Sequence, residues 1–233
     1  FILNENNTIW GAVSRAVRTP SRIDADYFLP TFPVSLETPH VAGGPDFESE
    51  KLLAYELGYR MQPNANITVS LAAFYNLYDD LYSVEALPGT LRYQTQNGGE
   101  GDSRGVEVSA AFQLLKNWRL RSGYTYFFKE LEDKPGHEGF IPSILGNDAE
   151  HHALIHSMID LPGNFHFDLL ARYASALPDP YIPEYLALDV RFAWTYRQLA
   201  ELSVCVQNSL KAKHLEYEYQ IPRNIYGKIT FRL

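Results

Sequence analysis

The sequence predicts an all-β protein: an antiparallel β-barrel that crosses a membrane. Three observations predict it. Apolar and polar residues alternate with period two through most of the 233 residues, while helical periodicity is hard to find. Tight and long connections between the alternating segments follow one another strictly. Aromatic side chains gather on the apolar faces beside the tight connections, where a membrane interface holds amphipathic rings.

Ten segments carry the alternation. The first, 6–18, places Ile9, Val13 and Val17 on one face, with Arg15 among them. An arginine facing lipid costs about 2–4 kcal/mol at the midplane and little near the interface. Arg15 therefore sits at the outer rim near lipopolysaccharide phosphates, or the strand is bulged; both readings stay open. Segment 50–61 sets Tyr59 against Glu56 and Arg60. Segment 66–84 is the clearest: Ile67, Val69, Leu71, Ala73, Tyr75 and Leu77 oppose a mostly polar or small set. Segment 91–114 follows with Val106, Val108, Ala110, Phe112 and Leu114 opposite Glu107. In 117–130, Trp118, Leu120, Tyr124 and Tyr126 oppose Arg119 and Arg121. Segment 149–161 opens on His151, His152 and His156. Phe165, Phe167, Leu169 and Tyr173 of 164–175 oppose Asp168 and Arg172. In 183–196, Leu186, Leu188, Val190, Phe192 and Trp194 oppose Asp189 and Arg191. Segment 199–210 sets Leu202, Val204 and Val206 against Glu201, and 221–233 closes the chain.

The short connections are 62–65, 115–116, 162–163 and 197–198; between them lie 19–49, 85–90, 131–148, 176–182 and 211–220. Short turns at one end and long loops at the other mark an outer-membrane barrel. Tyr59, Trp118, Phe165, Trp194 and Tyr196 lie near the short turns and make the inner aromatic girdle. The opposite faces carry Glu56, Arg60, Glu107, Arg119, Arg121, Asp168, Arg172, Asp189, Arg191 and Glu201, which are assigned to the lumen. Composition agrees. Twenty basic against 28 acidic residues give a net charge of −8, which disfavours a nucleic-acid partner. One cysteine excludes an internal disulfide framework.

Several stretches resemble the TonB-dependent outer-membrane receptors. Trp10 to Ser21 looks like the family's "S-R-x-x-R-x-P-S" strand end, and Tyr55 to Arg60 like "E-x-G-x-[RK]". Ala73 to Leu81 resembles "x-F-Y-x-x-Y-x-D-L". Tyr93 to Asn97 with Arg104-Gly-Val-Glu-Val108 resembles "Y-x-N-x-G…G-x-E-[VL]". Trp118 to Tyr126 matches "w-x-L-x-x-[SG]-Y-T-Y", and Gln207-Asn208 with Pro222-Arg223 matches "x-N-L…P-R". The chain departs from the family at Leu233, where Phe or Trp is usual, and at Ser209-Leu210.

The resemblance implies that residues 1–233 are about ten C-terminal strands of a 22-stranded, plugged barrel, with plug and N-terminal strands outside the sequence. It implies active uptake of a scarce nutrient such as a ferric siderophore, haem or cobalamin, with no covalent chemistry and no resident cofactor. Expected partners are the TonB complex acting through the plug, the barrel-assembly machinery, outer-membrane lipid and lipopolysaccharide. Long loops on a rigid barrel are where recognition lives, so Arg18, Arg22, Tyr27, Phe28 and His137 are the candidate ligand-binding residues. Loop 131–148 adds Phe140 and Ile141. Two other readings are a ten-stranded hydrolase, whose pieces are Asp79, Asp80, His137 and His152, and a passive porin. Adjacent strand residues point to opposite faces, so Asp79 and Asp80 are expected not to cooperate. His152 and His156 share a face about 13 Å apart, too far to hold one ion.

Overall fold

A computed structural model describes residues 1–31, 35–90, 92–139, 145, 147–197, 199–216 and 219–231. Phe140, Ile141 and Leu233 lie outside the described residues. The elements are β1 (Ile2–Asn4), β2 (Asn7–Arg18), α1 (Arg22–Asp26), β3 (Phe28–Thr31), β4 (Ser35–Ala42), β5 (Glu50–Asn64) and β6 (Ile67–Ala86). They continue with β7 (Tyr93–Leu115), β8 (Trp118–Asp133), β9 (His151–Leu161), β10 (Phe165–Ala174), β11 (Leu177–Pro178) and β12 (Tyr181–Ile182). The last are β13 (Tyr185–Tyr196), β14 (Ala200–Gln207), β15 (Lys213–Glu216), β16 (Tyr219–Pro222) and β17 (Asn224–Phe231).

The sheet runs β1-β2-β5-β6-β7-β8-β9-β10-β13-β14-β17, every neighbour antiparallel and next in chain order along that path. The ten predicted segments are β2, β5 to β10, β13, β14 and β17. The alternation did not reach β1, a three-residue strand that folds back on β2 with Ile2 opposite Thr8.

Local chemistry closes the tight turns. Asn4 and Asn64 accept, through their side-chain oxygens, the N–H groups of Asn6 at 3.0 Å and Asn66 at 2.9 Å. These Asx turns reverse the chain at both places. Gly163 and Asn164, at φ +79° and +63°, supply the left-handed pair that closes 162–164. At the other end the connections hold α1 with the β3–β4 hairpin, the β11–β12 hairpin and the β15–β16 hairpin. Strands β6, β7 and β8, at 20, 23 and 16 residues, exceed the roughly 9–11 that span a bilayer. Their outer ends therefore stand clear of hydrocarbon.

The sheet is a single layer with no second sheet across its apolar face among the described residues. Its accessible surface is 15397 Å², against about 10,700 Å² for a globular monomer of this mass. Val13, Leu57, Ile155, Phe192, Val204 and Ile229 are all exposed on one side. Water would penalise that side by about 25 cal/mol per Å² of apolar area, and hydrocarbon removes the penalty. The one hydrophobic cluster of buried residues found among the described residues lies at the loop end. There Ala149, Ala174, Leu177 and Ile182 pack with Tyr185 and Leu215, tying three loops into a platform.

Candidate functional site

Strand registers sort the side chains. Glu56 lies opposite Phe74 and Ala12, Arg60 opposite Ser70, Glu107 opposite Ala72 and Thr125, and Arg121 opposite Ala111 and His156. Arg119 lies opposite Met158, which faces Asp168; Asp168 faces Arg191. Arg172 is opposite Leu154 and Ala187, Asp189 opposite Leu170, and Glu201 opposite Thr195. These registers set all ten charged residues on one face. The other face carries rows such as Val13–Tyr55–Tyr75–Arg104–Phe128. Arg15, opposite Leu53, belongs to that second face; β2 pairs with β5 from Asn7 to Arg18 without a register shift, so no bulge reorients it.

Six of the ten are joined in ion pairs. Arg191 Nη1 donates to Asp168 at 2.6 Å and Nη2 to Glu201. Arg172 approaches Asp189 at 3.6 Å and Glu216 at 3.5 Å, fastening the β15–β16 hairpin to the wall. Arg119 lies 3.7 Å from Asp160, whose other oxygen pairs with His166 Nδ1 at 2.7 Å. Asp160 and His166 were not among the predicted residues, yet their symmetric placement about Gly163 is a legible cross-strand signal. Two cavities open on this face. One of about 410 Å³ is lined by Ser70, Ala72, Glu107, Ser109, Gly123 and Arg172; another of about 590 Å³ by Arg119, His156, Asp168, Arg191 and Glu201.

At the loop end, Arg18 bridges β2 to α1 and β5, donating to Glu50 at 2.5 Å and to Asp24 at 2.9 Å. Asp24 also closes the cap of α1: its carboxylate accepts from the Ser21 N–H at 2.7 Å, and its own N–H donates to the Ser21 hydroxyl. Burial pushes the Asp24 carboxyl up, but Ser21 and Arg18 outweigh burial and hold it below the usual range. Arg22 is almost fully exposed, 3.3 Å from Asp26. Tyr27 and Phe28 are exposed beside it. The positive charge of Arg18 is thus engaged within the chain, while Tyr27 and Phe28 are open.

His137 stands apart from these four, pinned by Nδ1 to Glu85 at 2.9 Å. Glu85 also accepts from the buried Ser83 hydroxyl at 2.6 Å. Glu85 lies between serine and histidine, so the hydroxyl bonds a carboxylate and not the imidazole, and this trio lacks the order of a Ser-His-Asp triad. Gly98 lets it form, since a Cβ there would stand 2.0 Å from Glu85 Oε1.

The expectation for Asp79 and Asp80 is corrected. A register shift follows Tyr78, and Asp80 takes the left-handed φ of +57°. The break in the pleat brings both carboxylates to Lys134 Nζ, each at 2.5 Å, and Asp80 also to Lys51. Both acids are held in ion pairs. Of the histidines, His152 and His156 share the charged face, whereas His151 lies on the other, accepting from or donating to the Tyr124 hydroxyl at 2.8 Å. No group of three or more His, Cys, Asp or Glu with metal-holding geometry occurs among the described residues.

The family profile described as "TonB dependent receptor-like, beta-barrel" matches residues 1–208. Comparison with curated sequences returns no match. Among solved structures, the FrpB iron transporter from Neisseria meningitidis superposes with a TM-score of 0.76 at 11% identity, over 98% of this chain and 37% of its own. The copper transporter OprC gives 0.74 at 13% identity, over 99% of this chain and 38% of its own. The siderophore receptor PirA from Pseudomonas aeruginosa gives 0.71 at 16%, over 99% and 38%. The chain thus spans little more than a third of these structures, all partial matches to larger barrels. With its single-layer sheet, its sorted faces and a profile match over most of its length, the chain belongs to the TonB-dependent receptor-like β-barrel family, outer-membrane proteins of Gram-negative bacteria.

Proposed function

We propose that these residues form the C-terminal wall of an active-transport receptor that takes up a scarce nutrient such as a ferric siderophore, haem or cobalamin. The carrying observation is the sorting of faces: a face for lipid that is largely apolar, with Arg15 and Arg104 on it, and ten charged residues on the face assigned to the lumen. Tyr27 and Phe28, open at the loop end beside Arg22, supply aromatic and cationic contacts of the kind an anionic aromatic chelate uses. The TonB complex drives release by acting on a plug outside these residues. The barrel-assembly machinery inserts the sheet, and outer-leaflet lipid with lipopolysaccharide covers Arg15. No step makes or breaks a covalent bond.

Uptake by the producing bacterium tests the reading. Cells lacking the full-length gene are supplied in turn with ferric siderophores, haem and cobalamin under limitation, with and without a functional TonB. Loss of uptake of one ligand, restored by the gene only when TonB works, supports it. Unaltered uptake of every ligand, or TonB-independent diffusion of all small solutes, contradicts it and favours a porin.

A further inference from the structure

The sheet has a step at its outer end. Strands β7 and β8 stay paired out to Gly99 and Asp133, whereas the pairing of β8 with β9 stops at Tyr126 and His151. The Phe127 N–H still donates to the Glu150 carbonyl at 2.8 Å, the last backbone bond of β8 on that side among the described residues. Beyond it, alternation fixes where each backbone group points. The Lys134 N–H donates to the Gly98 carbonyl at 2.7 Å, so the even-numbered residues at this end of β8 turn to β7. Lys129 and Leu131 turn their N–H and C=O groups the other way, where no described residue bonds them. An open edge of this kind is a template for a further strand. It stands clear of the bilayer core, because β8 runs for 16 residues where roughly 9–11 suffice to cross.

The side chains flanking the edge select the strand that fits. On the face that carries Arg104 and Phe128, Asp102 lies directly opposite Glu130, and Glu100 directly opposite Glu132. Like charges in directly opposite positions destabilise a strand pair. Asp102 has Arg104 at 3.5 Å, but Glu100, Glu130 and Glu132 have no ion pair with any described residue. Glu130 and Glu132, on the edge strand itself, are exposed. On the opposite face Lys129 is already paired with Asp148 at 2.6 Å, which leaves Leu131 as the apolar contact there. A strand laid along this edge presents every second side chain to Glu130 and Glu132, and the side chains between them to Leu131.

We propose that the outer edge of β8, from Phe128 to Glu132, docks an extended segment of a partner protein outside the cell, with Lys or Arg at alternate positions and apolar residues between them. Backbone bonds to Lys129 and Leu131 hold the segment in register. Its cations answer Glu100, Glu130 and Glu132, which the sheet sets against one another without a counter-charge, and this complementarity selects a basic strand over any other. The docking site needs the outer strand ends to face the medium, and it does not depend on the transport reading.

The test uses the full-length receptor in detergent and, as probe, a short synthetic peptide of alternating Lys and Val. In the free receptor the amides of Lys129 and Leu131 exchange fast, and the bound peptide slows both by at least about tenfold. E130Q combined with E132Q weakens peptide binding by about tenfold, and an alternating Glu and Val peptide does not bind. L131P weakens binding of the Lys peptide by about tenfold as well, since it deletes an edge donor and spares the bonds to β7. Should L131P not assemble, the same peptide with N-methylated backbone amides, tried on the wild-type receptor, shows the same loss. Slow exchange at both amides in the free receptor overturns the proposal, because the edge is then already covered. Equal binding of the plain and N-methylated peptides, or of the Lys and Glu peptides, overturns it too.

Discussion

Lys134 Nζ stands 2.5 Å from Asp80 Oδ1, although 54 residues separate the two in the chain. The contact pins the start of the loop after β8 to the outward extension of β6, and His137 on Glu85 pins it again one turn later. A long loop thereby leaves the barrel from a fixed base.

That clasp has a defined pH window. Burial pushes the Asp80 carboxyl up, but hydrogen bonds from Lys134 and Lys51 prevail and lower it. Burial lowers the Lys134 amine, and the two aspartates raise it beyond the usual lysine value. The depressed acid contributes stability above its unfolded value of about 3.9, lost as pH falls through the lower folded value. The raised base contributes below about 10.4, lost as pH rises through the higher folded value. Hydrogen-exchange protection over residues 134–139, taken relative to the intrinsic rate at each pH, should hold from about pH 5 to about pH 10 and fall outside that range. K134M should lower it throughout, at a cost of about 1–3 kcal/mol for the half-satisfied acids.

Arg191 holds Asp168 and Glu201 together on the charged face of the sheet. R191M leaves two acids facing each other's field, and partial exposure limits the loss to about 1–2 kcal/mol. The urea midpoint of the folded barrel should fall, and D168N in the same protein should recover part of the loss.

A Cβ at Gly58 would stand 2.1 Å from the Trp10 ring. G58A must therefore displace the indole, at about 1–3 kcal/mol. Tryptophan fluorescence of the receptor should change in G58A, and the change should vanish when Trp10 is replaced by Phe.

Y27A combined with F28A should weaken ligand binding about tenfold or more, with the thermal midpoint of the barrel unaltered, because both rings are exposed. Equilibrium binding to the receptor in detergent checks it. R18A should instead lower stability, since Arg18 joins β2, α1 and β5.

Strands and faces were legible in the sequence because a half-buried strand must alternate: Val106, Val108 and Ala110 against Glu107 and Ser109 leave one register free of conflict. The tight turns were legible from Pro162-Gly163 and from the asparagines around 64. The Asp79–Asp80 pair was misread because alternation assumes an unbroken pleat, and the left-handed residue that breaks it is an aspartate rather than a glycine. Elements inside the loops escaped for a related reason. The Ser21–Asp24 cap of α1 and the two-residue strands β11 and β12 are too short to establish a period. His137 was a candidate by type, but its partner Glu85 lies 52 residues away, set by a loop fold that local pattern does not encode.

The central claim is that one face meets lipid and the other water. Spin labels at 106 and 192 on one face, and at 107 and 191 on the other, decide it in the full-length receptor in lipid, with Cys205 replaced by Ser. The account predicts oxygen-accessible labels at 106 and 192 and labels quenched by water-soluble nickel at 107 and 191. The reverse pattern, or equal nickel access at all four, contradicts it.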